Sequence, residues 1–371
     1  MGKRVLGVAL VALALFATSA AGQVEIKSGA AEIKITGRLQ AMYDYSSAAE
    51  ELTSVFLIRR ARITLEVKIN DWIQGKIQPD FSTGFGLENG LRLKDAYVDF
   101  VLSEPFRIRT GQFKRPFDVF ELTSSTQILV IERTGFVRGA DNCAGVGAVC
   151  SYSRLTEKLG FSDRDVGLEF GGMIAGHWVW SASVTNGQIF EDIVTFSGAT
   201  DTTDVFSDGK SFGSRLEYRG SNLRVGANVA GHDYANPIRL DQVEYGFGYG
   251  ADVDWGSYSS PGLHVKAGIT AGDNWENLNT TGDPSNFWTT QGIVAYRWGV
   301  DSSKLEGIEV LGRASFADPD TNASDDEGVL LTPGFVTYFS GRNKAAINVD
   351  IYKPGALDWE YSVKMMAYLY F

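Results

Sequence analysis

Apolar and polar residues alternate with a period of two along most of this chain, in short runs that recur to its end. In LIRRARITLEVKI, Leu57, Arg59, Ala61, Ile63, Leu65, Val67 and Ile69 share one face; Arg60, Arg62, Thr64, Glu66 and Lys68 share the other. In EYGFGYGADVDW, Tyr245, Phe247, Tyr249, Ala251, Val253 and Trp255 alternate with Glu244, three glycines, Asp252 and Asp254. This is the repeat of half-covered β-strands, not of helices. Sixteen segments are predicted in the first half and second half together: 31–45, 53–70, 72–82, 91–102, 105–114, 163–173, 177–186 and 210–219, then 222–231, 243–256, 262–272, 287–299, 305–317, 328–340, 343–352 and 360–371.

The connections sort by parity. After even-numbered segments they are short, as at 70–71, 103–105, 175–176, 220–222 and 341–342. After odd-numbered segments they are longer and polar: 83–90, 115–162, 187–209, 232–242, 273–286, 318–327 and 353–359. Short turns at one end and long loops at the other are expected of an all-β transmembrane antiparallel barrel of the outer membrane, and a soluble sandwich has no reason to sort its loops this way. The apolar set then faces lipid and the polar or small set a wet interior. Trp178, Trp180, Trp255, Trp288 and Trp298, near segment ends, suit interfacial girdles. An open edge in hydrocarbon costs on the order of several kcal/mol for each unpaired backbone group, so 360–371 must close the ring against the first segment. Its terminal Phe371 is similar to the signal by which outer-membrane proteins engage the barrel-assembly machinery.

Composition adds an address. Lys3 and Arg4, the apolar run to Ala17 and the small residues Ser19, Ala20 and Ala21 predict a secretory signal peptide over 1–21, which leaves 22–371 as the barrel. Cys143 and Cys150, in an exported chain, predict a disulfide that pins a loop, and no metal-ligand spacing is present. The net charge of -11 argues against nucleic acid as a partner. No phosphate-binding loop or dinucleotide fingerprint occurs, so no cofactor is expected.

The segments FLIRRARI, GLRLKDAYVDF, GQFKRPFDVFELTSS and IERTG, with RDVGLEFGG, VTNGQ and LTPGFVTYF further on, resemble the porin O and P family of phosphate-selective outer-membrane porins in order and spacing. The resemblance implies a sixteen-stranded barrel, a homotrimer, and a loop folded into the lumen, for which 115–162 is the candidate. It implies a water-filled channel for passive diffusion of small hydrophilic solutes or anions, and no enzyme.

Strand phase nominates lumen residues. Basic candidates are Lys34, Arg38, Arg60, Arg62, Lys68, Lys76, Arg107, Arg109, Lys114 and Arg115; acidic ones are Glu169, Glu217, Glu244, Asp252, Asp254, Glu309 and Asp350. A basic wall facing acids sets a transverse field that sorts ions, and guanidinium forks suit oxyanions. The acidic overall balance predicts mixed lumen charge in place of an extended arginine ladder. The glycine-rich inward faces at 164–172 and 244–254 predict an open interior. A hydrolase on a barrel and a plugged structural or adhesive barrel are the alternatives. His177, His232 and His264 show no serine and acid partners by spacing.

Overall fold

The computed structural model describes residues 24–28, 31–82, 91–187, 209–239, 243–258 and 260–371. The predicted leader, the 83–90 connection, most of 187–209 and residues 240–242 lie outside the described residues. The chain opens with β1 (Val24–Ser28), β2 (Ala31–Ser46), β3 (Ser54–Lys68), β4 (Ile73–Asp80), β5 (Arg92–Ser103) and β6 (Phe106–Lys114). Two short helices follow, α1 (Val119–Leu122) and α2 (Tyr152–Lys158). Next come β7 (Arg164–Ile174), β8 (Trp178–Thr185), β9 (Ser211–Arg219), β10 (Leu223–Ala235), β11 (Val243–Trp255) and β12 (Gly262–Leu278). The last are β13 (Pro284–Gly299), β14 (Gly307–Asp318), β15 (Gly328–Ser340), β16 (Asn343–Pro354) and β17 (Glu360–Tyr370).

Each strand from β2 onward pairs antiparallel with the next, and β17 pairs back onto β2, with Met366 opposite Met42 and Tyr370 opposite Arg38. The result is a closed barrel of sixteen strands, and closure removes the edges that hydrocarbon would punish. The sixteen predicted segments coincide with β2 to β17 within a few residues, although β12 and β13 run on until only 279–283 separates them. β1 was not foreseen. It adds to the edge of β2 at 31–35, just below the point where β17 stops.

Burial is inverted relative to a soluble domain. Ile63, Val98, Leu168, Val229, Ile269, Val294 and Val310 stand exposed on the outer face, while Gln40, Asp44, Thr270, Asn348 and Lys364 are buried within. Exposed aromatics collect near both rims: Trp72, Trp178, Trp255 and Trp298 at the short-turn end, Phe56, Trp288, Trp359 and Tyr361 at the long-loop end. Trp180 stacks against Phe106 and donates its indole N–H to the Pro105 carbonyl. The chain terminus is tied down as expected. Gly37 and Phe371 exchange backbone hydrogen bonds, at 2.6 and 3.1 Å. The Phe371 ring lies in the space a Cβ on Gly37 would need.

One stretch departs from simple alternation. Between Gln40 and Ala41 the β2–β3 register slips, Gln40 facing Arg60 and Ala41 facing Ile58, so Arg59 is the extra residue of a β-bulge. Two positions expected on the lipid face, Leu57 and Arg59, therefore turn inward. Leu57 is 7% exposed, and Arg59 grips Glu132 with both nitrogens, at 2.6 and 2.9 Å. Keeping an arginine out of lipid is the physical reason, since a charge at the bilayer midplane costs about 2–4 kcal/mol in a barrel.

Candidate functional site

The segment 115–163 folds into the barrel and packs against the inner wall. Its backbone is fixed to inward-facing polar side chains. Val119 N–H donates to Asp252 (3.1 Å), Ile131 N–H to Asn348 (2.6 Å) and Tyr152 N–H to the Ser315 hydroxyl (3.0 Å). Arg313 donates to the carbonyls of Glu132 and Arg133 (2.8 and 2.9 Å) and to Asp350 (2.8 Å). Apolar packing completes the seal. Val130, Ile131, Phe120 and Tyr152 meet Ile293, Leu311, Val336 and Met366, and Phe117, Leu155 and Phe161 meet Trp275, Phe287 and Leu330. The Cys143–Cys150 disulfide braces the far part of the segment, with Cys150 against Gly328.

The inward glycines explain how a loop fits so close to the wall. A Cβ on Gly248 would sit 2.8 Å from the Phe161 ring, one on Gly246 2.6 Å from Trp275, and one on Gly268 3.0 Å from the Tyr152 hydroxyl. These small residues are a landing surface for the loop, so the expectation of an open interior is corrected at 244–254, while at 164–172 Glu169 and Gly172 do border open space.

Opposite the loop, along β2 to β10, an aqueous cavity of about 770 Å³ remains. Its lining holds fifteen arginines and lysines against eight carboxylates. The acidic balance of the whole chain therefore misleads, because much of the acid lies in the loops or under the internal segment. Arg38, Arg60, Arg62, Lys76, Arg107, Arg109 and Lys114 line this cavity, as do Glu169 and Glu217. Strand phase missed Arg59, Lys94, Arg133, Arg154, Arg164, Arg215, Arg219 and Arg224. The bulge hid Arg59, loop folding hid Arg133 and Arg154, and period two alone already places Arg215, Arg219 and Arg224 inward, whereas Arg164 shares the parity of the exposed Val166 and Leu168 and reaches the cavity at the end of β7.

The other candidates sit elsewhere. Lys68 ends β3 and pairs with Asp71 in the short turn at 2.8 Å, away from the cavity. Lys34 faces Glu66 near the same rim. Arg115 is a buried strut between Asp165 (2.8 Å) and the Gly160 carbonyl. Glu244 accepts from Tyr234 and Asn236 near the long-loop end. Asp252 lies beneath α1, gripped by Arg215 at 2.6 and 2.7 Å. Glu309 accepts from the Tyr338 hydroxyl (3.1 Å), and Asp350 binds Arg313 and Lys364, both at 2.8 Å. Asp254 lines a separate chamber.

Across the cavity, the tip 123–126 is held from both sides. Ser125 accepts from Arg38 and, at 3.4 Å, from Arg62, while Thr123 accepts from Lys266 at 2.7 Å. Arg62 is neutralised by Asp80 at 2.6 Å and Arg109 by Asp99 at 2.7 Å. Among the described residues, Arg38, Lys94 and Arg154 have no carboxylate within ion-pair distance, so their charge acts on the lumen undiminished. Within the loop, burial and then Asp163 and Glu121 push the Glu157 carboxyl up to about 7. Against burial, which would raise it, Arg59 and Arg60 hold Glu132 below its ordinary range.

A closed barrel with a greasy outside, aromatic rims and a charged aqueous lumen narrowed by an internal loop is an outer-membrane porin, a passive channel for small hydrophilic solutes in a Gram-negative bacterium. Residues 33–253, more than half of the chain, match the sequence model for phosphate-selective porin O and P, and the chain belongs to that family. Among solved structures, the outer membrane channel DcaP of Acinetobacter baumannii superposes with a TM-score of 0.62 at 14% identity, covering 93% of this chain and 99% of that one. A loop-deletion mutant of OmpT from Vibrio cholerae gives 0.60 at 10% identity, over 92% and 100%. OmpF of Salmonella typhi, solved with daunomycin, gives 0.58 at 12% identity, over 94% and 100%. At these identities the likeness concerns the fold. A search among curated proteins returned no match.

Proposed function

We propose that the channel prefers anions, with phosphate-type oxyanions as its solutes, and that they travel along the arginine wall of β2 to β10. The supporting observation is the excess of cations in the cavity lining, fifteen against eight. At Arg38 and Arg62 two guanidinium groups converge on the Ser125 hydroxyl, which an oxyanion oxygen can replace. Water and fixed charge do the sorting, so no catalytic step is required. His177 meets the Arg219 carbonyl, His232 the Asp233 carbonyl and His264 the Asp254 carboxylate, none of which forms a nucleophile–base pair.

The protein works as a homotrimer, the form in which OmpT of Vibrio cholerae has been solved and the one expected from the family. It reaches the outer-membrane lipid after loss of residues 1–21, through the barrel-assembly machinery reading β17 and Phe371. Planar-bilayer recordings in asymmetric salt test the reading, with phosphate, chloride and a neutral sugar as solutes. A reversal potential on the anion side and phosphate-sensitive chloride current are expected. Cation preference would overturn it, and absence of current would remove the channel itself.

A further inference from the structure

A second chamber lies beyond the loop tip, toward the short-turn end of the barrel. It encloses about 320 Å³ and is walled by Thr123, Arg224, Asp254, Tyr258, His264 and Lys266. Of its lining residues only Thr123 and Arg224 also border the main cavity. The short turn carrying Tyr258 folds under it, and the Tyr258 hydroxyl accepts from Lys344 at 2.9 Å.

Its polar groups are arranged around one saturated carboxylate. Asp254 binds His264 Nε2 at 2.7 Å, Lys266 Nζ at 3.3 Å, and Arg224. A carboxylate only accepts, so the proton on the imidazole sits at Nε2 and, in the neutral ring, Nδ1 is an acceptor. That Nδ1 is buried and has no hydrogen-bond partner, and His264 as a whole is 7% exposed. Buried polar atoms are normally satisfied, so an orphan beside a cavity asks for a donor from outside the chain. Two basic side chains, Arg224 and Lys266, stand against the single carboxylate, and nearly half of the Arg224 side chain remains accessible. The chamber thus offers positive charge and one open acceptor together.

We propose that this chamber is a second binding site, entered from the short-turn (periplasmic) side, for a compact anion that retains a hydroxyl group. The charged oxygens meet Arg224 and Lys266, and the hydroxyl donates to His264 Nδ1. Hydrogen phosphate and small hydroxy acids share this chemistry; sulfate and acetate carry the charge without the O–H. Because Lys266 also holds Thr123 of the tip, and Arg224 borders both spaces, occupancy alters current through the main path. The proposal takes from the reading above only that the barrel conducts.

The test uses single full-length channels in chloride, with phosphate, gluconate, sulfate or acetate added to one side at equal concentration. Phosphate and gluconate on the short-turn side are expected to reduce the current, with sulfate and acetate at least fivefold less potent. His264→Phe is expected to raise the half-effective concentration of phosphate and gluconate at least fivefold, with chloride conductance and reversal potential as in the wild type. Where heat-modifiable gel migration shows that this variant fails to fold, His264→Asn, too short to reach the ligand, is read instead. Equal potency of all four anions, equal effect from the long-loop side, or unchanged sensitivity in the folded variant overturns the proposal. A cation-side reversal potential in the wild type would instead overturn the anion preference of the main path and leave this site standing.

Discussion

Arg38 and Lys68 separate the lumen from the rim, although strand phase alone treats them alike. Arg38 borders the cavity without a carboxylate partner, whereas Lys68 sits in a turn beside Asp71. Replacing Arg38 by Gln removes one unit charge from the path. At about 6 Å, with an effective dielectric near 60 in a water-filled lumen, that charge is worth about 1 kcal/mol to a passing ion. At about 0.1 M salt the Debye length of about 10 Å reduces this to about 0.5 kcal/mol. Anions then lose, and cations gain, a factor of about 2.3 each, because about 1.4 kcal/mol corresponds to tenfold. The anion-to-cation permeability ratio of Arg38→Gln should fall about fivefold, by the product of the two factors. Reversal potentials in a tenfold KCl gradient of about 0.01 to 0.1 M read this ratio directly, and at lower mean salt the change should grow. Lys68→Gln should leave it unchanged. An unaltered ratio in Arg38→Gln, or an equal change in Lys68→Gln, would refute the assignment of the conducting charge to the β2–β10 wall.

Three further outcomes are expected. Glu157 titrates near pH 7, raised above the ordinary carboxylate range, so acidification from pH 8 to 6 neutralises it and makes the lumen more positive. Anion preference should therefore rise as pH falls, and Glu157→Gln should flatten that part of the profile; a wild-type slope of the opposite sign would contradict it. Gly37→Val places a side chain where the Phe371 ring lies, displacing the terminal residue from the closing seam. Heat-modifiable barrel should be largely lost from membranes of cells making Gly37→Val, while Gly292→Ala, with open space at that position, should assemble normally. Removing the Cys143–Cys150 bridge, which spans a separation of 7 residues, frees a short loop. The loss should be about 2–3 kcal/mol by the chain-entropy argument, seen as a lower unfolding temperature and noisier current in Cys143→Ser/Cys150→Ser. Identical current noise and melting would mean that the hydrogen bonds and apolar packing of the segment hold it without the bridge.

Period two determined most of the fold before any coordinates. β3, β11 and β17 each read as one apolar and one polar face, loop lengths alternated by parity, and Phe371 had to close the ring because lipid tolerates no unpaired backbone. Lumen positions such as Arg60, Arg62, Arg107 and Glu169 follow from the same phase, which is local and survives every tertiary arrangement with one wet face. The tertiary structure decided everything that depends on two distant segments meeting. The bulge at Arg59 reversed part of β3 because register is set between strands. Leu330, Val336 and Met366 face inward yet are dry, since the 115–163 segment covers them. β15, which carries Leu330 and Val336, has apolar residues on both faces, a trace of that cover legible in the sequence, but which loop provides it is not. Net lumen charge likewise came from packing: the internal segment covers Asp252 and Asp350 on one wall, and the arginines of the other border the cavity. Alternation along a strand records which face a residue takes; only the folded loop determines which of those faces the solute meets.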